Sequence, residues 1–470
     1  MLEVFETLND KIDLVKRMDF NFWSPRENLD QSIEFIPLKE CVGNNSLTTS
    51  AFYPSITPFY QKLEDNKDDL MPFIRVGDTR KALLEYKDTV FLNTELLDAL
   101  SKNIKRVNPG DVVITKGGEY IGEATLVPNY YGQYAICRDV LAIKSGDSCL
   151  TGEYLASFFQ SKLGKSELIR TKSVQGQPHL TLEKIYDINI PIFDEIFQEE
   201  IKEYWDAFFE LINESKDHLQ RAKEVLNIAM KNRLSQSQKV TIFEMELNQN
   251  NLTQRCDFEY YEKKWSNLIS DLSKDGMTFH PVKYIKQDID TSDVTKIYNY
   301  VTLTDIDDRS GMIRKYRKIP VYNLPDRAKR ATQLGDVLVS SLKGSRDKVA
   351  IIEEDKENLV ASTGFYIIRD ENLTPEVLYL LFRSDFYTLF IEQMASGSIM
   401  SSITEKYFKQ LVLPDLDQEI QRSITQEIQS YFNKRKDAFT NLESAIEKFD
   451  EMLNKLNIEV EEIEELESEE

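Results

Sequence analysis

Apolar residues recur at alternating intervals of four and three in two long stretches of the chain. In residues 195–235 the seam consists of Ile201, Trp205, Phe208, Ile212, Ser215, Leu219, Ala222, Leu226 and Ala229. In residues 416–458 it consists of Ile424, Ile428, Tyr431, Arg435, Ala438, Leu442, Ala445, Phe449, Met452 and Leu456. Such spacing over more than three heptads is typical of helices that pair as a coiled coil. We therefore predict two long helices that pack on each other, with Ser215 and Arg435 as polar interruptions.

Each predicted helix would be roughly 55 to 60 Å long, since an α-helix rises about 1.5 Å per residue. A second interpretation stays open at this stage. In it, each helix covers the apolar face of its own domain and the two helices do not pair.

The segments before these helices combine strands with short helices. Strands are predicted at Gly110 to Thr115 and Ala135 to Ile143, around a turn at Gly117-Gly118. A second set is predicted at Gly335 to Ser340, Val349 to Ile352 and Phe365 to Ile368. Short helices follow in each half, at Glu153 to Gln160 and at Pro375 to Phe382. The fold class expected is α+β.

The same landmarks occur twice in the same order, which indicates a tandem duplication. They are Arg17 to Trp23 and Arg255 to Tyr261; Gly110 to Ile114 and Gly335 to Val339; Ser173 to Gly176 and Ala395 to Ser398; Leu182 and Ile403; and Ile190-Pro191 and Leu413-Pro414, with Gln198 or Gln418 beyond. We predict a first domain at 1–194, its helix at 195–235, a second domain at 236–415, its helix at 416–458 and an acidic tail at 459–470.

Cysteine and histidine usage argues against a metal site or a disulfide framework. The four cysteines (Cys41, Cys137, Cys149 and Cys256) and the three histidines (His179, His218 and His280) are widely separated. No zinc-ligand spacing results, and so few cysteines in a long chain suit a reducing compartment. His179 is expected to make a loop contact or a structural hydrogen bond. We expect no metal and no cofactor.

The first twenty residues mix charges into every turn and lack the apolar core of a signal peptide. No stretch approaches 18 uninterrupted apolar residues. We therefore expect a cytoplasmic protein with no membrane span.

The chain carries 58 Lys and Arg against 80 Asp and Glu, a net charge of −22. Residues 451–470 contribute −8 of this, and their last dozen residues are expected to fray as a solvated tail. This acidity argues against a uniformly basic coat for nucleic acid. The distribution of positive charge therefore matters more than its sum.

Residues 309–348 reverse the sign of the chain, with eleven Lys and Arg against three Asp, a net of +8. The basic residues are Arg309, Arg314, Lys315, Arg317, Lys318, Arg327, Lys329, Arg330, Lys343, Arg346 and Lys348. A charge run is usually a solvated face. Here the interleaved Tyr316 and Tyr322 and the local reversal of sign favour contacts with nucleic-acid phosphates.

The first half has a weaker basic excess. Residues 99–118 carry Lys102, Lys105, Arg106 and Lys116 against Asp111, a net of +3, and Arg75, Arg80 and Lys81 precede them.

Catalytic signatures are missing from the sequence. There is no Pro-Pro dipeptide and hence no amino-methyltransferase motif, and there is no phosphate-binding loop of the G-x-x-x-x-G-K-[ST] type. There is also no G-x-S-x-G elbow. Glu354-Asp355-Lys356 has the residue types of a nuclease site but is expected to be a turn. We predict no active site.

A duplicated module of this kind, with a long heptad helix after each copy, resembles the specificity subunit of type I restriction-modification systems. The resemblance is carried by Arg17-x-Asp19 and Arg255-x-Asp257, Pro72 to Asp78, Gly110 to Gly118, Gly335 to Ser340 with Lys343 to Ser345, Ser396 to Ile403, and Leu413-Pro414. Each motif is short. Their shared order in both halves is the specific part.

The resemblance implies two target recognition domains separated by an antiparallel pair of helices. Each domain would read one half of a bipartite, asymmetric site on double-stranded DNA, and the helices would set the spacing. It also implies two methyltransferase subunits and, for cleavage, motor-endonuclease subunits as partners in a phage-defence complex. The chain itself would be non-catalytic.

The residues expected to face DNA are Arg75, Lys102, Lys105, Arg106, Lys116, Gly117, Gly118, Arg314, Lys315, Arg317, Lys318, Arg327, Lys329, Arg330, Lys343, Arg346 and Lys348. Two other hypotheses stay open. An acidic interaction scaffold or DNA mimic would use the −22 charge to occupy another protein's DNA channel. A cryptic nuclease would need a carboxylate cluster that binds a divalent metal.

Overall fold

The computed structural model describes residues 33–43, 46–61, 69–79, 89–118, 121–146, 148–172, 179–234, 258–397 and 401–455. Several sequence predictions fall outside these residues. They are the Arg17 to Trp23 and Arg255 to Asp257 landmarks, the Ser173 to Gly176 segment and the acidic tail at 459–470.

The described chain divides into two compact units. The first unit holds the residues up to Leu211 together with those from Asp437 onward, and the second holds Ile212–Lys436. Each long helix therefore contributes one part to the first unit and one part to the second. The predicted domain boundaries stay a prediction.

The described residues of the first unit form ten short strands. They are β1 (Phe35–Pro37), β2 (Leu47–Thr49), β3 (Leu70–Ile74), β4 (Val90–Asn93), β5 (Arg106–Val107), β6 (Val112–Thr115), β7 (Ala124–Leu126), β8 (Tyr134–Ile136), β9 (Val140–Ile143) and β10 (Asn189–Pro191). One four-stranded sheet has the order β4-β3-β8-β5, with β3 and β8 parallel. The other has the order β2-β9-β6-β7 and is antiparallel throughout. β1 pairs with β10.

Its helices are α1 (Leu38–Val42), α2 (Thr94–Ala99), α3 (Gly152–Gln160), α4 (Lys162–Arg170), α5 (Leu182–Tyr186) and the first part of α6 (Glu195–Ala229). The Thr151 side chain caps α3 and the Ser161 side chain caps α4, each by accepting a hydrogen bond from an N–H of the first turn. Strands β6 and β9 are buried along their whole length, as expected of apolar runs covered on both faces.

The second unit repeats this set of strands. They are β11 (Phe279–Pro281), β12 (Tyr284–Ile285), β13 (Ile297–Val301), β14 (Arg317–Pro320), β15 (Ala328–Ala331), β16 (Val337–Ser340), β17 (Val349–Ile351), β18 (Leu359–Ser362), β19 (Phe365–Ile368) and β20 (Val412–Pro414). Its sheets have the orders β14-β13-β18-β15 and β12-β19-β16-β17, and β11 pairs with β20. The topology matches that of the first unit strand for strand.

The second unit's helices are α7 (Phe258–Glu262), α8 (Lys264–Lys274), α9 (Pro375–Phe382), α10 (Asp385–Met394), α11 (Glu405–Phe408) and the first part of α12 (Gln418–Lys455). Thr374 and Ser384 cap α9 and α10, at the positions that Thr151 and Ser161 occupy in the first unit. The predicted duplication is confirmed by this agreement of sheet order and helix caps.

The two long helices pair antiparallel within each unit. In the first unit, Phe197 near the start of α6 lies 5.1 Å from Phe449 near the end of α12, ring centroid to ring centroid. In the second unit, His218 in the latter part of α6 lies 2.7 Å from Glu427 near the start of α12. The coiled-coil interpretation is therefore confirmed, and the alternative of two unpaired helices is wrong.

The heptad seam is buried almost throughout, and Ser215 and Arg435 are as buried as their apolar neighbours. Leu219, Ala229 and Met452 are only half-buried. Helix α6 ends at Ala229, short of the predicted residue 235, where Lys231 and Asn232 adopt positive φ angles of 53° and 57°. Residues in this left-handed conformation cannot continue a right-handed helix.

The strand prediction was wrong in one case and left out many other strands. The strand expected from Ala135 to Ile143 is two strands, β8 and β9, which belong to different sheets. Strand β18 was missed, although its four residues are buried. Among the described residues, no helix has both the length and the apolar character needed to cross a membrane.

Candidate nucleic-acid interface

Corresponding loops follow the central strands β6 and β16. In the first unit the loop starts at Lys116, and Gly117 forms an antiparallel bridge with His179. In the second unit Leu342 forms the corresponding bridge with Ser402. Each loop is thus fixed by the chain segment that precedes the short helix α5 or α11.

The loop in the first unit requires glycine for two separate reasons. A Cβ atom on Gly117 would lie 2.2 Å from Nδ1 of His179, well inside contact distance. Gly118 has a φ of +96°, in the region that favours glycine. The backbone of Lys116 is held on both sides, since its N–H donates to the Asp139 carbonyl and its carbonyl accepts from Leu180. The Gly-Gly turn and the structural role of His179 are confirmed.

The loop in the second unit carries Lys343, Arg346 and Lys348. The N–H of Lys343 donates to the Ser401 carbonyl at 2.9 Å. Arg346 lies 3.7 Å from the Glu392 carboxylate on α10, and Nζ of Lys348 donates to the Ile306 carbonyl at 2.6 Å. This loop is therefore tied to α10 and to the segment after β13.

A buried aspartate shapes the turn that follows β3 in the first unit, and another shapes the turn that follows β13 in the second. Oδ2 of Asp78 accepts from the Arg75 N–H at 2.8 Å, and Oδ2 of Asp305 accepts from the Thr302 N–H at 2.8 Å. Both carboxylates also pair with an arginine, because Asp78 receives Nε of Arg75 and Asp305 receives Nε of Arg317. Each is nearly fully buried. The two units thus use the same acid at the same turn.

Asp307 organises the loop that runs from Asp307 to Arg314. Its Oδ1 accepts hydrogen bonds from the N–H groups of Arg309 and Ser310, and its Oδ2 accepts from Nη2 of Arg314 at 2.8 Å. Burial by itself raises the pKa of Asp307. Nearby positive charges and hydrogen bonds more than offset this and hold the pKa of Asp307 well below its usual value. They are the charge and hydrogen bond of Arg314, the hydrogen bond of the Ser310 N–H, and the charge of Arg435.

Helix α9 and the residue after it donate hydrogen bonds to the backbone of the same loop. The Tyr379 hydroxyl donates to the Ser310 carbonyl at 2.7 Å. Arg383 lies over the Tyr379 ring, 5.5 Å from its centroid, and donates to the carbonyls of Asp308 and Arg309. The loop backbone therefore has partners on a rigid element and is preformed.

Arg435 connects this loop to the long helix α12. Its side chain is only 1% exposed and lies over the Tyr431 ring, 5.6 Å from the centroid. Its charge acts on both Asp307 and Tyr379. The polar interruption in the second heptad seam is thus the point at which the helix meets the Asp307 loop.

The remaining predicted residues lie around the edges of the β4-β3-β8-β5 and β14-β13-β18-β15 sheets. In the first unit, Lys102 is exposed in the turn after α2, Lys105 donates to the carbonyl of Lys102, and Arg106 pairs with Asp98. In the second unit, Arg330 pairs with Asp288. Four of the predicted DNA-facing side chains in the second unit are exposed, namely Lys315, Lys318, Arg327 and Lys329.

Most of the predicted arginines therefore have acidic partners in their own unit. Arg75, Arg106, Arg314, Arg317, Arg330 and Arg346 all pair with a carboxylate. In the second unit these acids are Asp288, Asp305, Asp307 and Glu392, which lie outside residues 309–348 in the sequence. These four carboxylates compensate about half of the +8 of that segment in space, and DNA contact by these residues stays a prediction.

Sequence reasoning did not identify four residues that hold these loops in place, namely Asp305, Asp307, Arg383 and Arg435. One signal was available, since Thr302-x-x-Asp305 has the spacing of a capping box. The others depend on contacts between distant segments. Within the described residues, no group of three or more His, Cys, Asp or Glu is placed to hold a metal ion.

Part of the chain is similar to a known protein family. Residues 56–224 match the family described as type I restriction modification DNA specificity domain. A specificity subunit of the type I restriction enzyme HindI from Haemophilus influenzae is 32% identical over 108 residues, covering 22% of this chain and 24% of the relative. That match thus spans about a quarter of the curated relative. Residues 56–224 are therefore similar to a type I specificity domain, which agrees with the resemblance seen in the sequence.

Solved structures of type I proteins align over most of the chain at low similarity. The S subunit from M. genitalium has a TM-score of 0.39 and 11% identity, covering 94% of this chain and 100% of that one. The HsdS subunit from Thermoanaerobacter tengcongensis has a TM-score of 0.30 and 14% identity, covering 91% and 97%.

Proposed function

We propose that this chain is the DNA-recognition subunit of a type I restriction-modification complex and is itself non-catalytic. The observation that carries the proposal is the repeated architecture. The specificity domain matched at residues 56–224 has a second copy, with the same sheet orders and helix caps, in the second unit. Two such domains in one chain would read the two halves of a bipartite site on double-stranded DNA.

The two half-sites would differ in sequence because the candidate loops differ. The first unit presents Lys116, Gly117 and Gly118 after β6, whereas the second presents Lys343, Arg346 and Lys348 after β16. Side chains at base edges select sequence, so different side chains at corresponding loops select different bases. The recognised site would therefore be asymmetric.

The basic residues would divide into two roles. Arginines held by Asp305 and Asp307 shape loops whose backbone and remaining donors face bases. Exposed side chains such as Lys318, Arg327 and Lys329 would contact phosphates, where a flexible cation is sufficient. Partner subunits would supply further phosphate contacts, which is consistent with the chain's net charge of −22.

The paired helices would set the distance between half-sites. Helix α6 has 35 residues and α12 has 38, which at 1.5 Å per residue gives about 52 and 57 Å. That length corresponds to roughly 15 to 17 base pairs as an upper limit of reach. We propose that two methyltransferase subunits dock on the helical part, and that motor-endonuclease subunits join them for cleavage.

Co-expression with a candidate methyltransferase subunit tests the proposal. We expect a stable complex and, in genome-wide mapping of methylated adenines, one bipartite asymmetric motif that appears only when this chain is present. A complex without chain-dependent methylation would overturn the proposal and favour the acidic scaffold. Methylation of the same motif without the chain would overturn it as well.

Charge reversal at one domain makes the test sharper. The Lys318→Glu and Lys329→Glu variants should weaken methylation at all sites, since phosphate contacts carry no sequence information. Lys274→Glu on α8 is a matched control, because Lys274 is also an exposed lysine of the second unit but pairs with Asp271. It should leave methylation unchanged.

A further inference from the structure

Two cysteines that are far apart in the chain meet in the first unit. Cys41 lies in helix α1, and Cys149 lies in the connection between β9 and α3. The N–H of Cys149 donates to the carbonyl of Cys41 at 3.0 Å. This backbone bond brings the two residues close together, and a disulfide requires Cα atoms about 4.4 to 6.8 Å apart. The Cys149 thiol is also near enough to Cys41 to raise the pKa of the Cys41 thiol.

The two thiols differ in their access to solvent. Cys149 is exposed, whereas only 2% of Cys41 is exposed. Burial raises the pKa of the Cys41 thiol to about 12, and the charge and hydrogen bond of Cys149 add to this. Because the thiolate is the reactive form, an oxidant in solution reaches and oxidises Cys149 first.

Cys137, the remaining cysteine among the described residues, has no comparable arrangement, since it is buried in the core cluster that contains Ile136 and Val140. Cys256 lies outside the described residues. An exposed thiol near a buried one is the arrangement of an oxidisable residue with its resolving partner.

We propose that Cys41 and Cys149 form a reversible disulfide when the protein meets a peroxide. The Cys149 thiol loses its proton, and its sulfur attacks one peroxide oxygen. The O–O bond breaks, the second oxygen leaves as hydroxide, and this hydroxide takes up the released proton to give water, so that Cys149 becomes a sulfenic acid. The Cys41 sulfur then attacks the Cys149 sulfur. The S–S bond forms, the S–O bond breaks, and the Cys41 proton leaves with the oxygen as a second water. A dithiol reductant reverses the change.

The bond would add a covalent link to helix α1. The helix has two other contacts with the segment before β10, since the Leu38 N–H donates to the Ile188 carbonyl and Lys39 pairs with Asp187. A link between residues 41 and 149 closes a long loop in the unfolded chain, which raises the stability of the first unit. The site would make the stability of one recognition domain responsive to oxidation, independently of whether the chain reads DNA.

Thiol counting on the full-length chain tests the proposal. The reduced protein is freed of reductant, treated with hydrogen peroxide under native conditions, quenched with catalase, and alkylated with N-ethylmaleimide in denaturant. We expect alkylated thiols to fall from four to two and to return to four after dithiothreitol. Mass spectrometry of unreduced tryptic peptides should show a Cys41–Cys149 link.

Variants separate this pair from other cysteines. Because Cys149 is exposed, the Cys149→Ser variant should fold. It should retain all three of its remaining thiols after peroxide treatment. Cys256→Ser is the matched control and should still lose two thiols. The proposal is overturned if Cys149 reaches the sulfinic state while Cys41 stays alkylatable, if peptides link a different pair, or if no thiol is lost.

Discussion

Arg314 donates a hydrogen bond to the carboxylate of Asp307 across 2.8 Å, and this pair closes a loop that helices α9 and α12 support. Only 9% of Asp307 and 22% of the Arg314 side chain are exposed. A buried charge pair of this kind fixes geometry more than it adds stability, but removing one partner leaves the other charge uncompensated. The loop therefore depends on both residues.

Asp307→Asn should destabilise the second unit by about 3 kcal/mol, because Arg314 would keep its charge without a partner. Since the folded-state pKa of Asp307 is depressed, its stabilising effect is complete above the unfolded-state pKa. That effect is lost as the pH falls below about 4 toward the folded-state value. Urea unfolding between pH 7 and 3 checks both points.

The Asp307→Asn variant should show a shallower loss of stability in acid than the parent. Asp326→Asn serves as the control, since Asp326 is an exposed acid in the same unit. Its stability at each pH should match that of the parent. An unchanged acid profile in Asp307→Asn would show that the pair does not hold the loop.

Gly311→Ala should destabilise the same loop through its backbone. Gly311 has a φ of +71°, and a Cβ there would lie 2.4 Å from the Val349 carbonyl oxygen and 2.6 Å from the Tyr379 ring. We expect a loss of about 2 kcal/mol, since both strain and overlap must be relieved. Gly344→Ala in the neighbouring loop is the matched control, because a Cβ there meets nothing within 4 Å. Equal thermal midpoints for the two variants would contradict this.

Phe449→Ala should unfold the first unit at much lower denaturant. The Phe449 ring is fully buried and lies 4.7 Å from the Tyr154 centroid and 5.8 Å from that of Phe193. Truncating a buried phenylalanine costs about 3 to 5 kcal/mol. Glu447→Ala, exposed on the same helix, should change stability by less than about 0.5 kcal/mol. A small effect of Phe449→Ala would mean that α12 does not pack in this seam.

Lys318→Glu and Lys329→Glu should each weaken binding to non-specific duplex DNA and lower its salt dependence. Each lost phosphate contact reduces the slope of log K against log salt by about one. Fluorescence anisotropy over a salt series measures this slope. Lys274→Glu should reproduce the parent slope. If all three variants behave alike, only the net charge matters, and the two sheet edges formed by β14 and β15 are not DNA-facing.

The local elements followed from the sequence to a large extent. The seam from Ile201 to Leu226 has the period of a long amphipathic helix and favoured a paired one, and Pro375 to Phe382 forms a helix with the predicted bounds. Strands β8 and β9 were merged, because Cys137 to Asp139 lacks the Gly or Pro that usually marks a break. Assigning the two strands to different sheets depends on partners distant in the chain.

The sequence by itself indicated the duplication and the two long heptad helices, since these depend on repeated spacing that can be recognised without knowledge of contacts. Only the tertiary structure decided that the helices pair and which acidic partners the basic residues have. Arg317 and Asp305 are twelve positions apart, and Arg346 and Glu392 are much further apart, yet each pair meets in space. A count of charge along the chain cannot include such partners, because electrostatic compensation depends on distance in the fold and not on distance in sequence.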